Sequence, residues 1–233
     1  MQENIINYTV KEKIIETHNV VTLKLICDGG IPTYRAGQFI TVFFGDTGNA
    51  EGKAYTISSE PSEDTINITV KAVGEFSNRL TALEVGDTVV ASLPYGYFYS
   101  ENAMTVIVMI AGGVGVTPFR SMIVESLKKF PTRSLFLFCS NKTVDDIIFR
   151  NEFEMLQSSF SSLKVINYIT QEENIMVGME KGRIIIGDVL ERVKEINNPE
   201  FFICGSISFV RDFWKELKEE GIPEERIYTE AFF

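Results

Sequence analysis

Ala111-Gly112-Gly113-Val114-Gly115-Val116-Thr117-Pro118-Phe119-Arg120 is the stretch whose reading decides the fold. It follows a continuous apolar run, Thr105–Ile110, of the kind expected for a parallel strand covered on both faces. Behind it, helical patterning runs from about Pro118 to Lys129. Thr117 reads as an N-cap and Pro118 as a first helical residue. Glycines let a main chain approach a ligand closely, and a helix start offers unpaired N–H groups and a positive dipole end. Strand, glycine turn and helix in that order suit a pyrophosphate. The pattern departs from the usual dinucleotide fingerprint: Gly113-x-Gly115 fits, but Pro118 holds the third glycine position. A tight turn without a ligand is the alternative reading.

Toward the C-terminus the alternation repeats. Strands are expected at Ser134–Ser140, Leu163–Thr170, Phe201–Cys204 and Ile227–Thr229. Helices are expected near Phe149–Gln157, Gly187–Glu195 and Ser208–Glu219. That is the pattern of a Rossmann-like, doubly wound α/β parallel sheet. Toward the N-terminus the rhythm is different. Six short strand-like runs, Ile5–Ile15, Val20–Cys27, Gln38–Phe44, Ala54–Ser58, Thr65–Val73 and Thr88–Leu93, are separated by turns such as Asp28-Gly29-Gly30 and Gly45-Asp46-Thr47-Gly48-Asn49. They predict a six-stranded antiparallel β-barrel, interrupted by one short helix at Ser77–Leu83. The expected domains are 1–101 and 102–233.

Composition narrows the chemistry. Of 233 residues, 45% are hydrophobic and 23% charged, which suits a globular chain with a real core. The net charge of −10 is spread over both halves and argues against nucleic acid as a partner. The three cysteines, Cys27, Cys139 and Cys204, form no C-x-x-C, so neither an iron–sulfur cluster nor a structural zinc site is expected. The single histidine, His18, stands in the polar turn Glu16-Thr17-His18-Asn19 and leaves no multi-histidine metal centre. Val106 to Phe119 is too short to span a bilayer, and the N-terminus lacks a signal-peptide pattern, so a cytoplasmic location is the expectation.

Two strand ends and two motifs of the first half carry candidate ligand groups. The second parallel strand ends in Ser140-Asn141-Lys142 and lacks the acid of a typical NAD site. Ser140 and Lys142 suit a 2′-phosphate, although Lys142 reads equally as a solvated loop lysine. Cys204-Gly205 ends the fourth, where Cys204 is either a site residue or a small buried hydrophobe. In the first half, Lys53-Ala54-Tyr55-Thr56 and Gly74-Glu75-Phe76-Ser77 stand out; Ser77 can cap a helix start that binds phosphate.

With those residues in view, the chain resembles the ferredoxin–NAD(P)⁺ reductase superfamily over nearly its whole length. Eight motifs match in order: Gly37-Gln38-Phe39, Lys53-Ala54-Tyr55-Thr56, Gly74 to Ser77, Val85-Gly86-Asp87, Pro94-x-Gly96-x-Phe98, Gly112 to Pro118, Cys204-Gly205 and the aromatic tail Thr229 to Phe233. The resemblance implies FAD on the barrel and NADH or NADPH on the second domain. Tyr55 would stack on the flavin ring and Thr56 would hydrogen-bond near flavin N5. Lys53 and Ser77, with N–H groups of residues 75–77, would hold the FAD pyrophosphate. Ala54, Lys71, Val73, Gly74, Glu75, Phe76, Thr117 and Phe233 would also contact FAD. Gly112, Gly113, Val114, Gly115, Val116 and Thr117 would line the nucleotide pyrophosphate, with Ser140, Asn141, Lys142 and Gly205 nearby. Cys204 would sit beside the nicotinamide, Phe232 would cover the flavin and move aside for it, and Glu230 would act near N5.

Two departures stand out. Lys53 replaces the family's motif arginine and loses its planar fork, and Ser206 replaces the proline of C-G-P. No fused ferredoxin, globin or cysteine-rich tail is visible in the sequence. The expected partner is therefore a soluble carrier such as ferredoxin or flavodoxin. Lys128, Lys129 and Arg133 are candidate docking cations, or simply a solvated helix end. Two further readings stay open: an electron-entry subunit of a larger enzyme, and a non-catalytic module whose flavin site is empty.

Overall fold

The computed structural model describes residues 5–44, 52–101 and 105–232. The expected Gly45–Asn49 turn and Phe233 lie outside the described residues. The chain forms two compact units. The first runs to Tyr99 and takes in Arg120–Glu125; the second is Ser100–Phe119 with Ser126 onward.

The first unit holds β1 (Ile5–Thr17), β2 (Val20–Cys27), β3 (Phe39–Phe43), β4 (Lys53–Thr56), β5 (Ile66–Lys71), α1 (Glu75–Thr81) and β6 (Thr88–Ser92). The strands pair antiparallel in the order β4-β3-β6-β1-β2-β5. A bridge between Ile57 and Ile68 brings the chain just past β4 against β5, so the two ends of the sheet meet. Period-two alternation explains the core. Leu23 and Leu25 of β2, Ile66, Ile68 and Val70 of β5, and Ile40 and Val42 of β3 share one cluster. The intervening Thr22 and Thr69 lie on the other face, opposite one another in register. His18 stands exposed in the turn between β1 and β2, as its polar setting suggests.

The second unit holds β7 (Ile107–Gly112), a 3₁₀ turn (Gly113–Val116), both ends of α2 (Thr117–Lys129, whose Arg120–Glu125 count with the first unit), β8 (Leu135–Asn141), α3 (Arg150–Ser159) and β9 (Leu163–Ile169). β10 (Glu180–Lys181), α4 (Ile186–Val193), β11 (Glu200–Ser206), α5 (Ile207–Glu219) and β12 (Ile227–Phe232) complete it. All its strands pair parallel, in the order β10-β9-β8-β7-β11-β12. β7 comes first in the chain yet sits inside the sheet, so the winding reverses between β7 and β11. Ligands of such sheets bind at that switch point, beyond the carboxyl ends of the strands. Val108, Ile110, Phe138, Phe201 and Ile203 bury one face against Val189 and Val193 of α4 and Val210, Phe213 and Leu217 of α5.

The structure adds one strand and moves two caps: α1 runs Glu75–Thr81 with Gly74 as its cap, so Ser77 lies inside the first turn rather than capping it. β10 is two residues long, too short to show alternation in sequence. Thr117 is the first residue of α2 rather than its cap, because the 3₁₀ turn runs straight into the helix and Val116 takes the cap position. The Thr117 hydroxyl instead donates to the Val114 carbonyl at 2.7 Å.

Candidate functional site

In the first unit, β4 and the start of α1 come together. Tyr55 faces the barrel core and its ring lies 6.3 Å from that of Phe76, 20° from parallel. Phe76 packs at 4.7 Å on Phe44, and the Arg79 guanidinium sits 3.8 Å above the Phe44 ring. Two motifs that are about twenty residues apart in sequence are thereby joined. Burial pushes the Tyr55 phenol up to about 12, so it stays neutral at physiological pH. Thr56 is buried, while Lys53 and Ala54 are exposed. Lys71 ends β5, and Val73 and Gly74 carry the exposed chain into α1.

Ser77 serves the turn itself. Its hydroxyl accepts from the Val73 and Gly74 N–H groups, both at 3.0 Å, and donates to the Gly74 carbonyl at 3.0 Å. The hydroxyl thus shapes the turn from within. The first N–H groups of α1, on Glu75, Phe76 and Ser77, have no carbonyl one helical turn behind them. With exposed Lys53, these are donors of the kind a pyrophosphate needs.

In the second unit, β7 delivers the chain into Gly113–Val116. Gly113 has φ +53°, and a side chain there would meet open space. Gly115 is glycine for another reason: an added Cβ would run into the Cys204 carbonyl and the Gly205 N–H. Gly112 and Gly205 both lie under the Phe209 ring. At the end of β8, Ser140 is half-buried, Lys142 is exposed, and the Asn141 Nδ2 is a buried amide donor with no hydrogen-bond partner. A buried donor lacking an acceptor is costly unless a ligand or water supplies one. The orphan stands at a carboxyl strand end, where a nucleotide would lie.

Pairing across the sheet sets Glu230, Cys204, Ala111 and Cys139 in one row, so their side chains share a face. Cys204 is fully buried. Burial, and after it the Glu230 charge, holds its thiol well above the usual range. A thiol kept protonated offers a small, neutral, polarisable surface rather than a nucleophile. Phe232 sits in β12 opposite Ser206 and is half-buried.

The candidate docking cations divide. Lys128 and Lys129 are exposed in the last turn of α2. Arg133 is built into the second unit: Nε donates to the Thr105 carbonyl at 2.7 Å, and its Nη groups reach Ser126 and Ser100 at 3.2 Å. Among the described residues no metal-ligating cluster occurs, and no helix is long and apolar enough to cross a membrane.

Comparison with known proteins follows the same division. Residues 7–99 match the family model for an oxidoreductase FAD-binding domain, and residues 109–215 that for an oxidoreductase NAD-binding domain. The chain is 32% identical over 246 residues to flavohemoprotein A of Dictyostelium discoideum, covering 97% of this chain and 59% of that protein. It is 29% identical over 209 residues to a Bacillus subtilis flavohemoprotein, covering 87% of this chain and 52% of the relative. The chain therefore spans between half and three fifths of the curated relatives it matches. In fold it resembles the FAD/NAD-binding domain of a nitric oxide dioxygenase from Vibrio cholerae, with TM-score 0.86, 22% identity, and coverage of 97% of this chain and 98% of that one. It equally resembles a ferredoxin NADP⁺ reductase from Neisseria gonorrhoeae with bound FAD and NADP, with TM-score 0.85, 20% identity and full coverage of both chains.

Proposed function

We propose, from the matches to an oxidoreductase FAD-binding domain and an oxidoreductase NAD-binding domain, that the chain is a reductase of the ferredoxin–NADP⁺ reductase superfamily that oxidises NADH or NADPH and passes the electrons singly to a separate carrier such as ferredoxin or flavodoxin. The observation that carries this reading is the pairing of two phosphate-type turns, each beside its own reading group. Gly74–Ser77 adjoins Tyr55 through Phe76, and Gly113–Val116 adjoins the β8 and β11 ends. We take 1–101 as the flavin part and 102–233 as the nucleotide part.

When bound, FAD accepts a hydride and releases electrons one at a time, chemistry that protein side chains do not supply. The chain's own residues bind and orient. Tyr55 offers an apolar ring whose neutral phenol adds no charge. The buried Thr56 hydroxyl is assigned to the flavin N5 edge. Lys53 and the N–H groups of Glu75 to Ser77 hold the FAD pyrophosphate, with Ala54, Lys71, Val73 and Gly74 along it. Gly112 to Thr117 hold the nucleotide pyrophosphate, and Asn141 supplies its unpartnered amide. Ser140 and Lys142 read the 2′ position. Cys204 gives the nicotinamide a neutral seat, Glu230 sets the polarity beside it, and Phe232 is the aromatic that yields to it.

A second reading has its own support: the relatives are longer proteins bearing the name flavohemoprotein. On it, this module supplies electrons to a haem partner within a larger enzyme. The deciding experiment is the visible spectrum of the purified protein, before and after anaerobic NADH and then NADPH. Flavin bands that bleach support the reductase, and the faster nucleotide is the donor. A protein that stays colourless with added FAD removes the reading and leaves a non-catalytic module. Slow reduction of free ferredoxin and flavodoxin, alongside fast bleaching and a co-purifying haem protein, selects the second reading.

A further inference from the structure

We propose that Arg120 and Ser121, adjacent residues of α2, are positioning residues for the Tyr55–Thr56 strand end, an inference that rests on the flavin reading above. Beyond Thr56 the regular strand stops. Ile57 makes one bridge to β5, and Ser58 and Ser59, both fully buried, follow it outside regular strand structure, each bonded to Asn67 of β5. Two neighbouring side chains capture the two successive carbonyls there. Arg120 Nη1 donates to the Ser58 carbonyl at 2.6 Å, and Ser121 Oγ donates to the Ser59 carbonyl at 2.5 Å.

Each member is fixed in turn. The same Arg120 nitrogen lies 3.2 Å from Glu63 Oε1, with side-chain exposures of 15% and 25%. Glu63 Oε1 also accepts from the Glu60 N–H at 2.9 Å, and its Oε2 from Asn67 Nδ2 at 3.2 Å. The Ser59 hydroxyl meets the Tyr34 hydroxyl at 2.7 Å and accepts from the Asn67 N–H at 3.0 Å. Arg120–Glu125 belong to the first unit, so this knot lies wholly within it.

Holding two consecutive carbonyls fixes the peptide plane between them, and with it the direction from which residues 53–57 arrive. In an extended chain Ser58 lies about 7 Å beyond Thr56, at roughly 3.3 Å per residue. A tilt at Ser58 is therefore passed to the Thr56 hydroxyl and the Tyr55 ring with little loss. A mostly buried guanidinium–carboxylate pair is an expensive way to cover a strand end. It recovers its desolvation cost only through well-aimed hydrogen bonds, and those specify one geometry. Specified geometry is what a reacting centre requires, where a displacement near 1 Å can cost about a hundredfold in rate.

The test uses the FAD-loaded protein and the variants Arg120→Lys, Ser121→Ala and Arg120→Leu, with Lys215→Ala, an exposed position on α5, as a control. FAD stoichiometry, apoprotein Tm, flavin circular dichroism, the flavin midpoint potential, and kcat and KM with ferricyanide as acceptor are read together. Arg120→Lys and Ser121→Ala keep one FAD per chain and a near-native Tm. They change the flavin circular dichroism and potential and lower kcat about tenfold, with the nucleotide KM within about twofold. Arg120→Leu exceeds both or fails to fold. Lys215→Ala changes nothing. Flavin signals and kcat equal to wild type in both mild variants, or a loss confined to Tm, overturn the positioning role. A wild-type protein that takes up no FAD overturns the flavin reading and this inference with it.

Discussion

The turn at Gly74–Ser77 and the turn at Gly113–Val116 both present helix-start N–H groups, yet they are held in opposite ways. The first is held by a side chain. Ser77 Oγ gathers two N–H groups and one carbonyl, while Gly74 has an extended backbone and open space where a Cβ would be. The second is held by main chain against main chain, with Gly115 pressed on the Cys204 carbonyl. A polar side chain can be trimmed and leave a loosened turn. A close main-chain approach has no such slack.

The sharpest challenge to that contrast is Gly115→Val. Its Cβ needs the 3₁₀ turn and β11 to separate, so stability is expected to fall by about 3 kcal/mol in thermal unfolding. Anaerobic bleaching by NADPH or NADH is expected to slow about a hundredfold with FAD still bound. Ser77→Ala comes next: the turn loosens by about 1 kcal/mol. Its FAD Kd, from fluorescence titration of the apoprotein, is expected to rise about fivefold. Lys53→Arg restores a planar fork and should tighten FAD two- to threefold, roughly, in the same titration. Smallest is Gly74→Ala, whose thermal stability should stay within about 0.5 kcal/mol of wild type. A large loss there, or none at Gly115, would break the contrast.

Much of this was legible in the sequence because it is local. The apolar run before Gly112, the glycine turn and the βα alternation each depend on residues close in the chain. So do the six alternating runs of the first half. What escaped depends on distant contacts. Nothing in Thr117-Pro118-Phe119-Arg120-Ser121 announces that Arg120 and Ser121 will hold Ser58 and Ser59, some sixty residues upstream. Ser77 reads as a helix cap in sequence, but Gly74 takes the cap and the Ser77 hydroxyl, three residues on, is occupied by the turn. Arg133 looks like a docking cation in sequence, and only the fold shows it tied to Thr105, Ser126 and Ser100. The orphan amide of Asn141 is visible only once its surroundings are in place.

The closure of the barrel has a mechanical consequence. β1 and β2 share a ladder of eight register pairs, whereas the chain past β4 meets β5 in one backbone bridge, Ile57–Ile68, and one further main-chain bond, Ser58 N–H to the Asn67 carbonyl at 2.8 Å, the rest being serine and threonine side chains. A cylinder breathes first along the seam with the fewest main-chain bonds, and here that seam carries Tyr55 and Thr56 and relies on the side chains that hold Ser58 and Ser59. A ligand that binds only the closed form adds its own free energy to the closure. On the proposed placement of FAD against Tyr55 and Thr56, its occupancy would work as a staple: deuterium uptake at Ile57 and Ser58 should slow on loading while the β1–β2 amides stay as they were.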